Sequence, residues 1–200
     1  MSRTMREELA EFKRASVLKE AARQFYEKGY DGTRIEEIGT TLGVTKPFIY
    51  YLFKNKTELL DEICVGATAV SVETLQAAIS AHTSTLDQLR DAVRQLALQV
   101  VANQVGIAIC FREEKYISPE ARRRLEANRR RFDVLMNDLL TRAKKENVIA
   151  IGDPQVAAQV LTGAITWSFV WFRDGGRLST EAFADQIVEL SMSMLNAKTY

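Results

Sequence analysis

Apolar residues recur at helical spacing along almost the whole chain. Val17, Ala21 and Phe25 share one face, Leu18 and Ala22 flank it, and Gly29 is placed to end that first helix. Thr33 is positioned to cap a second helix, in which Ile35, Ile38 and Leu42 form a single stripe. Gly43 and Val44 make a tight turn. Thr45 then caps a short third helix ending near Phe53, and Asn55 caps a fourth, running through Leu59, Leu60, Ile63 and Ala67 to about Ile79.

The remainder reads the same way. Ser84 opens a helix to about Gln104, which Gly106 is expected to break, and a short helix follows in "IAICFREEKY". Ser118 and Pro119 start a helix that can run to Asn147. Asp153 and Pro154 repeat the device for a helix to about Arg173, and Ser179 caps a last one to about Asn196. No stretch reads as a strand. The expectation is an all-α chain of about nine helices. It comprises an N-terminal three-helix helix-turn-helix domain over residues 1–56 and a C-terminal helical domain over residues 57–200, with the fourth helix bridging both.

Composition removes several function classes. A single histidine, His82, rules out a multi-histidine metal site within one chain, and it is expected on the surface. Cys64 and Cys110 lack CxxC spacing and lie among apolar residues, so both are expected reduced and buried. There is no GxSxG, no P-loop and no cysteine beside a base, hence no catalytic residue, metal or cofactor is assigned. No apolar run looks long enough for a membrane span, and the N-terminus lacks a secretory pattern, so a cytoplasmic location is expected. Charge is uneven. Residues 1–56 hold eleven basic and eight acidic side chains, a balance of +3, whereas the rest hold sixteen and eighteen, a balance of −2. That bias permits an anionic partner at the N-terminal end.

The third helix carries the most specific chemistry. In "TKPFIYYLFKNK" the helical rotation gathers Ile49, Leu52 and Phe53 inward. Pro47, Phe48, Tyr50 and Tyr51 spread over the outer arc, with Thr45 and Lys46 at the front end. Such a surface can enter a major groove. Its aromatic rings suit thymine methyls and sugars, and its tyrosine hydroxyls suit phosphates or base edges. Thr33 and Arg34 at the front of the second helix, and Lys56 at the front of the fourth, are the expected phosphate contacts.

From Arg14 to Leu60 the chain resembles the DNA-binding segment of TetR-family transcriptional regulators. The resemblance lies in "AARQFYEKGYDGTRIEEIGTTLGVTKPFIYYLFKNKTELL": a Gly-Tyr before the second helix, an Ile-x-x-Ile spacing, "LGVTK", an aromatic-Phe ending and "KNKTELL", in that order. It implies a homodimer whose paired N-terminal domains bind a palindromic operator, and a C-terminal domain in which a small molecule loosens DNA. The chain departs from the family pattern at Leu52, where histidine is usual, and at Phe48, where a small hydroxyl residue is usual. An unusual base preference follows from the latter, because a phenyl ring accepts no hydrogen bond.

In the second half, Trp167 and Trp171 stand four apart on one helix face, which admits three roles: monomer core, dimer interface or cavity wall. Phe111, Arg112 and Tyr116 sit beside the break expected at Gly106, a fair place for a ligand pocket. Arg122–Arg124 and Arg129–Arg131 repeat at seven residues and read either as a solvated face or as a phosphate-binding rim. With "WFRDGGRLS", this half is similar to TetR-type regulators of catabolism that answer to acyl-CoA thioesters. On that basis the expected effector is an acyl-CoA, contacted by Phe111, Arg112, Tyr116, Trp167 and Trp171. The alternative is a lipophilic drug or aromatic compound in efflux control. Two further alternatives are an enzyme built on a helical bundle and a binding protein that has lost DNA.

Overall fold

The computed structural model describes residues 5–198. Residues 1–4 and 199–200, which the expected domain limits include, lie outside the described residues. Among the described residues the chain forms nine α-helices, one short 3-10 turn and no strand. They are α1 (Met5–Gly32), α2 (Ile35–Leu42), α3 (Lys46–Leu52), α4 (Lys56–Ala81), α5 (Thr85–Ala102), α6 (Gln104–Glu113), α7 (Pro119–Lys145), α8 (Pro154–Trp171) and α9 (Thr180–Met194); the turn is Glu114–Tyr116.

Most helix starts follow the capping residues. Asn55 Oδ1 accepts from Glu58 N at 2.9 Å, and Ser118 Oγ from Ala121 N at 3.1 Å. Asp153 Oδ1 accepts from both Gln155 N and Val156 N, at 2.7 and 3.1 Å. Each bond satisfies a first-turn N–H that has no partner within its own helix. Two expectations need correction. The break after α5 falls at Asn103, while Gly106 lies buried inside α6. Thr33 does not cap α2: Arg34 holds that position, and the Thr33 hydroxyl donates back to the Gly29 carbonyl at 2.9 Å. Gly29 has φ +76° and bends α1 at that point, a conformation glycine adopts without steric cost.

The chain divides into two compact units. One holds residues up to Ala67 together with Val105–Arg124; the other holds Thr68–Gln104 and the chain from Leu125 onward. The division therefore falls inside α4 rather than at Lys56, and the first unit also takes in most of α6 and the opening of α7. Its core is Val17, Ala21 and Phe25 of α1, Ile38 of α2, Ile49 of α3, Phe53, and Leu59 and Leu60 of α4, none more than 1% exposed. In the second unit α5 packs against α8 and α9, and Leu89, Met136, Leu161 and Phe183 are buried. By length and composition α4 does contain a stretch apolar enough to cross a membrane, contrary to the sequence expectation; 33% of it is buried within the protein, and a soluble core helix meets the same criterion.

Candidate nucleic-acid interface

The helix-turn-helix is held by one glycine pair. Gly43 adopts φ +66° and ends α2, donating its N–H toward the carbonyls of Gly39 and Thr40. Gly39 lies against the turn so closely that a Cβ there would meet the Val44 carbonyl oxygen at 2.8 Å. The sequence reading found Gly43 from its turn position and missed Gly39, which sits mid-helix and carries no turn signal.

α3 buries Ile49 and, at its C-terminal end, Phe53. Leu52 and Phe48 are half-buried. Tyr50 is 44% exposed and Tyr51 82%, so the two tyrosines stand outward beside exposed Thr45, Lys46 and Pro47. Thr45 occupies the N-cap position without a side-chain cap bond. Cations frame the rings: Lys46 Nζ lies 5.7 Å from the Tyr50 ring centre and Lys13 Nζ 5.5 Å from that of Phe48. Lys46 also pairs with Glu36 at the surface. That hydrogen bond pulls the Glu36 carboxyl below its ordinary pKa and raises that of Lys46. Arg34 is exposed.

Arg14 anchors the end of α3, and no local signal points to it. Its guanidinium donates to the Leu52 carbonyl at the end of α3 and pairs with Glu62 of α4, while its carbon centre lies 4.0 Å above the Phe53 ring. One cation thus ties three helices and caps the negative end of α3.

Two expected phosphate contacts are placed elsewhere. Thr33 is 1% exposed, with its hydroxyl on Gly29, so its side chain is not at the surface. The Lys56 ammonium donates to the Tyr30 carbonyl at 2.7 Å and the Thr33 carbonyl at 3.0 Å, and lies 4.2 Å from the Tyr30 ring centre. It closes the end of α1 onto the start of α4. Tyr30 is the hub of that seam: its hydroxyl is 2.9 Å from Thr57 Oγ1 and its ring stacks on Tyr116 at 4.7 Å.

The same seam takes up two residues expected to meet a ligand. Arg112 donates to the Phe25 and Tyr26 carbonyls at 3.1 and 2.7 Å, and Tyr116 donates to the Asp31 carboxylate, which raises the phenol's pKa. Phe111 is 59% exposed. In the second unit, Trp167 and Trp171 are each 56% exposed, so neither is core; the Trp171 ring meets Phe183 edge-on at 5.6 Å. Phe111, Arg112 and Tyr116 belong to the first unit, Trp167 and Trp171 to the second. The second unit does carry shallow surface grooves: one of about 420 Å³ is lined by residues including His82, Asp91, Arg94 and Asp185, and a neighbour of about 490 Å³ by Arg90, Val188 and Met192. His82 is at the surface as expected, 3.3 Å from Asp91. Cys64 and Cys110 are buried and form no disulfide, with Cys110 Sγ 3.8 Å from the Cys64 carbonyl.

A short helix pinned across a glycine-tightened turn, showing aromatic and basic side chains outward, defines a helix-turn-helix DNA-binding protein. The family model described as bacterial regulatory proteins, tetR family, matches residues 17–63, and that of the tetracyclin repressor-like C-terminal domain matches residues 72–195. The chain belongs to the TetR family of ligand-responsive transcriptional regulators. It is 23% identical over 145 residues to the HTH-type transcriptional activator FasR of Mycolicibacterium smegmatis; the match covers 70% of this chain and 66% of that relative, just under two thirds of its length. Among solved structures it is similar to AibR in complex with isovaleryl coenzyme A and operator DNA, at 26% identity and a TM-score of 0.77, covering 88% of this chain and 96% of that one. It is also similar to the regulator PfmR from Thermus thermophilus, at 27% identity and a TM-score of 0.81, covering 92% and 99%.

Proposed function

We propose that this chain is a homodimeric repressor that binds a palindromic operator through Tyr50, Tyr51, Lys46, Pro47, Thr45, Phe48 and Arg34, and that an acyl-CoA thioester releases it. The observation that carries the DNA reading is the outward stance of Tyr51 and Tyr50 on α3 beside Lys46. The main chain around Thr33 and Lys56 borders that surface in sequence, while their side chains brace it from within. The acyl-CoA reading is supported by likeness to AibR, which was solved with isovaleryl coenzyme A. Nothing in the proposal calls for catalysis, and a regulator bound to bacterial DNA acts in the cytoplasm.

Dimerisation is supported by an apolar stripe. Val156, Val160, Trp167 and Trp171 lie at helical spacing along α8, between 54% and 61% exposed, and Leu190 and Met194 of α9 are 66% and 43% exposed. Bare tryptophans at this density favour burial against another surface. A second copy supplies one that is self-complementary, and with it a second α3 for the next major groove, about 34–36 Å away. Activation in place of repression is the second reading, favoured by the match to FasR.

Fluorescence anisotropy with DNA from upstream of the protein's own gene tests the proposal. Binding should weaken with salt, with a log–log slope of about −0.9 per phosphate neutralised. Isovaleryl-CoA should release the DNA; tightening instead would favour the activator reading, and a response only to lipophilic drugs would favour efflux control. No salt-sensitive binding at low ionic strength would sink the assignment of α3. Sedimentation of Trp167→Glu should show monomers where the native chain shows dimers, with operator affinity lost in step.

A further inference from the structure

In the second unit a row of half-buried polar side chains leads inward to one buried amide. Thr68 and Ser71 stand three residues apart on α4 and so face the same way. Asn128 of α7 donates through Nδ2 to Thr68 Oγ1 at 3.0 Å, and Ser71 Oγ donates to Gln99 Oε1 of α5 at 3.4 Å. Gln99 is only 9% exposed, and its Nε2, which carries two N–H donors, has no hydrogen-bond partner. Its surroundings on the same two helices are apolar: Val72, Leu96 and Val100 are each under 5% exposed.

A buried amide nitrogen without a partner is uncommon, because the lost hydration is not replaced. Leucine or methionine would occupy the same place without that penalty. A glutamine there makes physical sense if its partner is present only part of the time. The partner must bring a hydrogen-bond acceptor, since Nε2 can only donate, and its remaining surface must suit apolar walls. A thioester meets both conditions: one carbonyl oxygen at the head of an alkyl chain.

We infer that Gln99 Nε2 is the hydrogen-bond donor to the thioester carbonyl of the effector, with Ser71 holding the amide in register. This rests on the acyl-CoA reading above. It adds the residue that tells an acyl thioester from a chain of the same length without the carbonyl.

Calorimetry of the full chain with isovaleryl-CoA and with its thioether, S-(3-methylbutyl)-CoA, tests this directly. The native protein should bind the thioester about tenfold more tightly or better. Gln99→Leu and Gln99→Met should bind the two alike, and without ligand should melt no lower than the native chain. If the native protein binds both compounds equally, the acyl-CoA reading stands and the role of Gln99 is overturned. If it binds neither, the acyl-CoA reading falls and this inference falls with it. Retained discrimination in Gln99→Met, or a lower melting temperature in both variants without ligand, would show the amide to be structural and overturn the inference.

Discussion

Within the first unit, two neighbouring regions use the same residue types for opposite purposes. On the outward face of α3, tyrosines and a lysine stand in solvent: Tyr51 is 82% exposed, and Lys46 pairs with a surface carboxylate beside the Tyr50 ring. At the seam where α1 meets α4 and α6, a tyrosine, a lysine and an arginine do the reverse. Tyr30 stacks, Lys56 donates to two carbonyls, and Arg112 donates to two more. The seam compensates the carbonyls left open at the Gly29 bend and at the end of α1. The difference teaches that residue type alone does not set a cluster's role: where backbone carbonyls lack donors the cations turn inward to serve them, and where the backbone is satisfied they stay in solvent, free to meet an anion.

The comparison is breakable. The largest effect is expected from Gly39→Ala, whose added Cβ would press on the Val44 carbonyl; overpacking of this kind costs about 1–3 kcal/mol. Because the strain falls on the turn itself, operator binding should be lost along with a lowered melting temperature. Tyr51→Ala should separate the two quantities. It should weaken operator binding by about 1–3 kcal/mol, roughly five- to 150-fold, with the melting temperature unchanged. A variant that melts early with intact affinity would place Tyr51 in the seam's class instead.

Lys56→Met and Lys46→Ala sharpen the contrast further. The first leaves the Tyr30 and Thr33 carbonyls short of a donor and should cost about 1–2 kcal/mol of stability, with the salt dependence of DNA binding retained. The second should leave stability within about 0.5 kcal/mol and flatten the log–log salt slope by about 0.9. The smallest effect concerns acid. A hydrogen bond from Arg23 holds the Glu20 carboxyl below its ordinary pKa, aided by Gln24. Its stabilising contribution is therefore present above the ordinary carboxylate pKa and is lost as pH falls through the depressed folded value. Unfolding midpoints followed from pH 6 down to about 3 should drop less steeply in Glu20→Gln than in the native chain.

The all-helical architecture could be read in the sequence because its punctuation is local. Ser84, Ser118, Asp153 and Ser179 each cap the helix they precede, and Gly43 turns where a turn was expected. The outward stance of Tyr50 and Tyr51 also followed from helical rotation alone. What escaped depends on partners far along the chain. Arg112 reaches carbonyls 86 and 87 residues away, and Arg14 reaches Glu62 across 48. Gly106 was expected to break a helix on propensity, yet it lies buried within α6, where tertiary packing outweighs that weak local preference. Trp167 and Trp171 could not be sorted among core, cavity and interface by spacing, since all three environments impose the same helical period.

The bonds from Arg112 to α1 also order events during synthesis. The DNA-binding unit is not finished when its three helices have emerged from the ribosome; it waits for Val105–Arg124, some forty residues after the break at Ala67. A nascent or truncated chain ending before that stretch would carry a complete recognition helix on an open scaffold. Folding of the DNA-binding unit should therefore be completed only with the arrival of α6, and an excised N-terminal fragment should make a poor substitute for the whole chain.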